Sequence, residues 1–160
     1  MDSVVGLDSM NIATRKQNTC IRVLIADDQP RSRRSLKALL TAIGWEGAHK
    51  SARPTQTNFP PVEIVGEAEN SQQAVAQART LRPDVVVMDL QLHPPSHAEP
   101  DPDGLAAIRT IKSEWPGIWI VILTMYATGR ASALAAGADA FLLKGCPTGE
   151  LLAAVMAGPR

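Results

Sequence analysis

The stretch Asp84-Val-Val-Val-Met-Asp89 decides the fold. Four apolar residues follow one another without polar alternation, which is the pattern of a strand covered on both faces. Such strands belong to parallel sheets flanked by helices. Upstream, Ser71 to Leu81 reads as a helix with Ala74, Val75, Ala78 and Leu81 inward, and Pro83 marks its end. Val62-Glu-Ile-Val65 reads as a strand before it. Leu36, Leu39, Leu40 and Ile43 recur at helical spacing, which predicts a helix started by Pro30 and stopped by Gly44. Ile21 to Ala26 is a β-branched run. Downstream, a helix from about Asp103 carries Leu105, Ile108, Ile111 and Trp115 inward, followed by a strand over Ile118–Leu123. A short helix over Ala131–Ala136 ends at Gly137. A strand over Ala138–Leu143 and a helix over Pro147–Ala157, with Leu151, Leu152, Val155 and Met156 on one face, complete the order.

Five β–α units in succession predict an α/β sandwich with a central five-stranded parallel sheet and helices on both faces. The chain has 160 residues, a size that one domain with a full apolar core accommodates. The expected organisation is a flexible arm over 1–20 and one domain over 21–160. Lys+Arg and Asp+Glu number 16 each, so bulk charge offers no basis for clamping nucleic acid or an anionic membrane. The charge is uneven: nine basic and five acidic groups in 1–53, two and eight in 54–106, five and three in 107–160. The acidic excess in the middle hints at a cation-seeking site. Two cysteines make no disulfide framework. The longest apolar run, Ile118–Leu123, is far short of the ~20 residues of a membrane span. The expected location is the cytoplasm.

Parallel sheets bind ligands beyond the carboxyl ends of their strands. That rule brings Asp27 and Asp28 from the first strand together with Asp89 from the third, Thr124 from the fourth and Lys144 after the fifth. Clustered carboxylates repel one another and call for a proton or a cation. Mg²⁺ suits one or two carboxylates, a backbone carbonyl and waters. A lysine in the same place favours an incoming anion. Carboxylate nucleophile, metal, lysine and small hydroxyl together form a phosphoryl-transfer set, in which an aspartate can become an aspartyl phosphate.

These residues resemble the receiver domain of two-component response regulators. The matching pieces are Leu24-Ile-Ala-Asp27-Asp28-Gln-Pro30, Pro83-Asp-Val-Val-Val-Met-Asp89-Leu90, Asp103-Gly104-Leu105, Val121-Ile-Leu-Thr124-Met-Tyr126 and Gly137-Ala-Asp-Ala-Phe-Leu-Leu-Lys144. They span about 21–157 and agree in order. Ala-Asp-Asp-Gln-Pro and Leu-Leu-Lys-Gly look most like the NarL/LuxR-type subfamily. The resemblance implies a flavodoxin-like (βα)5 fold with Asp89 as phosphoacceptor. Asp28, Asp89 and the Gln91 backbone carbonyl would bind Mg²⁺ directly, and Asp27 through water. Lys144 would pair with the phosphoryl group, Thr124 would move toward it, and Phe141 would turn inward as the aromatic switch. Arg31, Arg33, Arg34 and Lys37 on the first helix would dock the phosphodonor, a sensor histidine kinase or phosphotransfer protein. Such a domain is a phosphoacceptor with its own phosphorylation and dephosphorylation chemistry rather than a dedicated enzyme. It controls an output, often transcription through a DNA-binding domain expected outside this chain, and homodimerisation on phosphorylation is a common consequence.

Two alternatives have sequence tests. A flavodoxin-like binding module or phosphatase lacks support, because no Gly-rich phosphate loop is present and Gln91 stands where a second aspartate would be needed. A stand-alone or degenerate receiver, used only as a protein-protein interaction module, fits poorly with the intact Asp27, Asp28, Asp89, Thr124 and Lys144. The chain departs from the family in two long connections, 44–61 and 91–102, and in a fourth helix expected to be about two residues short. The second connection holds four prolines and follows the phosphoacceptor strand directly, so it is stiff and extended.

Overall fold

A computed structural model describes residues 20–46, 59–92 and 104–158. The two long connections and the proposed arm therefore lie almost wholly outside the described residues. Five strands form one parallel sheet: β1 (Ile21–Ala26), β2 (Val62–Ala68), β3 (Val85–Met88), β4 (Trp119–Thr124) and β5 (Ala140–Leu143), in the order β2-β1-β3-β4-β5. Five helices alternate with them: α1 (Pro30–Glu46), α2 (Ser71–Leu81), α3 (Gly104–Glu114), α4 (Arg130–Ala136) and α5 (Thr148–Met156). The strand order reverses between β1 and β3, which opens a crevice at their carboxyl ends.

All four residues of β3 are buried, as its unbroken apolar run predicts. The sheet's period-2 alternation sends its side chains into two cores. Leu24, Val86, Met88, Ile120, Ile122 and Phe141 face one way, where Ala74, Ala78, Ile108 and Ile111 of α2 and α3 cover them. Val23, Ile25, Val85, Val87 and Val121 face the other way, against Leu36, Leu40, Leu151 and Val155 of α1 and α5. Trp119 fastens α5 to the sheet, since its indole Nε1 donates to the Ala154 carbonyl at 3.0 Å.

Most element ends fall within one or two residues of the sequence expectation, and three differences are informative. α1 continues past Gly44 to Glu46. A helix-interior glycine costs only about 1 kcal/mol relative to alanine, so it ends a helix only when the backbone there turns left-handed. β2 extends from Val65 to Ala68, passing a register shift opposite Val23/Leu24. Gly66 fits within it because Gln77 and Leu81 of α2 crowd the space a Cβ would need. α4 is short, as expected, but a 3₁₀ turn over Ala127–Gly129 precedes it directly.

Gly104 opens α3 against the backbone of Leu90, so closely that a Cβ there would stand 2.7 Å from the Leu90 carbonyl oxygen. Backbone cannot yield as a side chain can. Gly104→Ala is therefore expected to cost about 1–3 kcal/mol, the usual penalty of overpacking. Urea unfolding checks it, and an unchanged midpoint would show that the β3–α3 segment has slack.

Candidate functional site

The crevice gathers one residue from each of several strand ends. Asp27 continues β1, its amide donating to Ala68 of β2 at 3.0 Å, and Asp89 continues β3, its amide donating to Ala26 at 2.9 Å. Both carboxylates are then fixed by their own chain two residues on. The Gln29 amide donates to Asp27 Oδ1 at 2.9 Å and the Gln91 amide to Asp89 Oδ1 at 3.0 Å. This is the Asx-turn geometry that short acidic side chains favour at the end of a strand. Asp27 and Asp89 are buried and Asp28 is half-buried. Ligand oxygens of the three lie within 4.8 Å of one another.

Lys144 reaches this cluster from the end of β5, where its amide donates to the Thr124 carbonyl at 2.7 Å. Its Nζ donates to Asp27 Oδ2 at 2.6 Å and to Asp89 Oδ2 at 2.8 Å. Burial alone would push the ammonium down, but the hydrogen bonds and negative charge of Asp27 and Asp89 outweigh it and hold Lys144 above its ordinary value. Folding therefore favours the charged form. The stabilisation is complete below the ordinary lysine pKa of about 10.4 and is lost as pH rises through the higher folded value. Wild type is expected to lose stability in strongly alkaline buffer faster than Lys144→Ala does. Denaturant midpoints measured across that range test this, and parallel curves would refute the coupling.

Thr124 is buried at the end of β4. Phe141 lies on the same face of the sheet, opposite Ile122 in register, with its ring already inward in the α2–α4 core and the Arg130 guanidinium 5.8 Å from its centroid. The structure thus brings together Asp27, Asp28, Asp89, Gln91, Thr124 and Lys144, with Phe141 one layer beneath.

The first-helix cations divide. Arg31 and Arg34 are exposed, and Lys37 pairs with Glu67 at 3.2 Å. Arg33 departs from the docking expectation, because it is buried and its donors are engaged within the fold. The periodicity carried the signal: Arg33, Leu36 and Leu40 fall at i, i+3 and i+7, on one inward stripe. Also unforeseen were the backbone donors of Gln29 and Gln91, which no side-chain pattern marks. The second metal site that His93 and His97 with Glu99, Asp101 and Asp103 suggest on paper, with nothing in the sequence to fix its geometry, lies outside the described residues.

A five-stranded parallel sheet with an acidic crevice at its switch point and a lysine across it defines a doubly wound α/β domain with a carboxylate-lined site. The response regulator receiver domain model matches residues 60–156, and the chain belongs to that family. The match starts at the far side of the long 44–61 connection, so the structure, more than the match, places Asp27 and Asp28 in the site. The response regulator VraR of Staphylococcus aureus is 31% identical over 126 residues, covering 78% of this chain and 49% of VraR. A protein-glutamate methylesterase/protein-glutamine glutaminase of Alkalilimnicola ehrlichii is 33% identical over 127 residues, covering 78% of this chain and 27% of the enzyme. This chain therefore spans about half or less of these relatives. A two-component response regulator of the LuxR family from Aurantimonas sp. SI85-9A1 superposes with a TM-score of 0.65 at 28% identity, covering 88% of each chain. That neighbour agrees with the NarL/LuxR-type reading of the sequence. No helix among the described residues is long and apolar enough to cross a membrane.

Proposed function

We propose that Asp89 accepts a phosphoryl group from a phosphohistidine of a sensor kinase or phosphotransfer protein, with Mg²⁺ held in the acidic crevice. The observation that carries this reading is the Lys144 ammonium bonded at once to Asp27 and Asp89. Two nearly buried carboxylates have drawn in the nearest cation, which marks the crevice as short of positive charge. The carboxylate oxygens of Asp27, Asp28 and Asp89 lie within 4.8 Å of one another, a donor set that suits a hard divalent cation. By the family resemblance Asp28, Asp89 and the Gln91 carbonyl would hold it directly and Asp27 through water. The metal would neutralise charge on the transferring group. A carboxylate oxygen of Asp89 attacks phosphorus as the nitrogen–phosphorus bond of the donor breaks, and the histidine leaves with its electron pair. Lys144 is then released from Asp89 to pair with the new phosphoryl oxygens, and the Thr124 hydroxyl moves toward them.

The resulting change passes to the sheet face that carries Phe141. Arg31 and Arg34 remain as the exposed cations of a donor-docking face. The reading makes the chain a phosphoacceptor rather than a dedicated enzyme, acting in the cytoplasm as one receiver unit over 21–160. Its output would be transcription through a DNA-binding domain of the whole protein, with homodimerisation on phosphorylation. A stand-alone receiver working through protein contacts is the second reading, favoured by no separate observation. Incubation with Mg²⁺ and acetyl phosphate tests the chemistry: wild type is expected to gain the mass of one phosphoryl group in a base-labile form, and no gain would refute it.

A further inference from the structure

Arg33 leaves the docking face for a more specific task. It is only 9% exposed. Its Nη1 donates to the backbone carbonyl of Asp27 at 2.7 Å, and Nη2 donates to Glu69 Oε1 at 3.1 Å. Its Nε stands 3.7 Å from Glu67 Oε1. The other polar groups of Asp27 are also held: the amide by Ala68, Oδ1 by the Gln29 amide and Oδ2 by Lys144. The carbonyl that Arg33 holds belongs to the peptide joining Asp27 to Asp28. One peptide plane thus carries both carboxylates that β1 contributes to the cluster.

Without its donor, that buried carbonyl would be unsatisfied, at a cost of about 1–3 kcal/mol. Rotation of the peptide toward water would relieve the cost, and would turn Asp27 and Asp28 away from Asp89. The far side of the guanidinium meets part-exposed carboxylates, Glu67 at the end of β2 and Glu69 just beyond it, pairs that contribute little by themselves. A bidentate guanidinium suits this bridging role, because its planar fork bonds two fixed acceptors at once.

We propose that Arg33 is a positioning residue for the acidic cluster, setting the Asp27–Asp28 peptide plane and with it the affinity of the site for a divalent cation. This rests on the reading of the crevice as a Mg²⁺ site.

The test is a titration of the full chain with Mg²⁺ alone, followed by amide NMR shifts, with thermal melting alongside. Loss of such an outer-sphere partner commonly weakens metal binding by 10- to 100-fold, so Arg33→Met is expected to weaken Mg²⁺ by about tenfold. Arg33→Lys retains one donor and is expected to fall between, about threefold weaker. Glu69→Gln breaks an exposed ion pair but spares the Asp27 carbonyl, so it should leave Mg²⁺ affinity unchanged and the melting temperature close to wild type. A purely structural Arg33 would lower the melting temperature in Arg33→Met while its Mg²⁺ affinity stayed at the wild-type value. Wild-type affinity in a folded Arg33→Met overturns the proposal. If Arg33→Met fails to fold, wild-type affinity in Arg33→Lys overturns it. A wild type that binds no Mg²⁺ overturns the underlying reading, whereas a binding wild type with unmoved variants overturns only the role of Arg33.

Discussion

Asp89→Asn is expected to abolish phosphoryl uptake from acetyl phosphate while leaving the fold intact. Asparagine has nearly the volume of aspartate, and its side-chain oxygen still accepts the Gln91 amide that fixes Asp89 Oδ1. What it lacks is the anionic oxygen that attacks phosphorus. Asp27 stands in the same crevice but does not substitute for it. Its Oδ1 is held by Gln29 and its Oδ2 by Lys144, and it follows β1 rather than β3. The remaining signal in the variant is expected to be the background of exposed side chains, at least a hundredfold below wild type, since a general-purpose carboxylate lacks the positioned cation and lysine. Intact-protein mass spectrometry reads this directly. Equal modification of wild type and variant would place the phosphoryl group elsewhere and end the assignment of Asp89.

Lys144→Ala has the second largest expected effect, and it depends on the metal. In Mg²⁺-free buffer the substitution leaves Asp27 and Asp89 facing each other without the cation between them. Removing one partner of a fully buried ion pair costs about 3–5 kcal/mol. The Lys144 side chain is 17% exposed, so water recovers part of this and about 2 kcal/mol is expected. Mg²⁺ should then restore most of the loss, because bound by these carboxylates it would supply the positive charge that the ammonium supplied. In wild type the two cations compete, and Mg²⁺ should stabilise less. Melting temperatures of both proteins with and without Mg²⁺ decide this, and equal stabilisation would refute the competition. Phosphorylation of the variant is expected to persist. Its conformational response, read as amide shifts around Thr124 and Phe141, is expected to weaken.

The sequence carried most of the architecture because the strands are short, apolar and buried, and two-faced burial leaves an unbroken run such as Val85–Met88. It carried the cluster because the topology puts every strand's carboxyl end on one edge. It did not carry the far end of β2, read only as far as Val65, where Gly66 and Glu67 follow. On an edge strand one side needs no ladder partner, and helix α2 fills the place of the missing side chain. Gly44 misled for a related reason: glycine permits a helix end without requiring one. The 3₁₀ turn at Ala127–Gly129 has no apolar periodicity to announce it. Arg33 was misread through its charge, although its spacing from Leu36 and Leu40 placed it inward. Charge in a sequence shows what a residue can pair with. Spacing shows where it points, and here spacing was the better guide.

Leu90 gives the segments on either side of Asp89 a shared part. Its backbone lies under Gly104, and its Cδ1 lies where a Cβ on Gly129 would have to be. The residue immediately after Asp89 is thus gripped from the start of α3 and from the turn before α4. Close packing of this kind transmits displacement instead of absorbing it. Strand β3 and the segment between β4 and α4 consequently mesh like two gears through a single tooth. The two glycines set the clearance, since a Cβ on either would collide with Leu90.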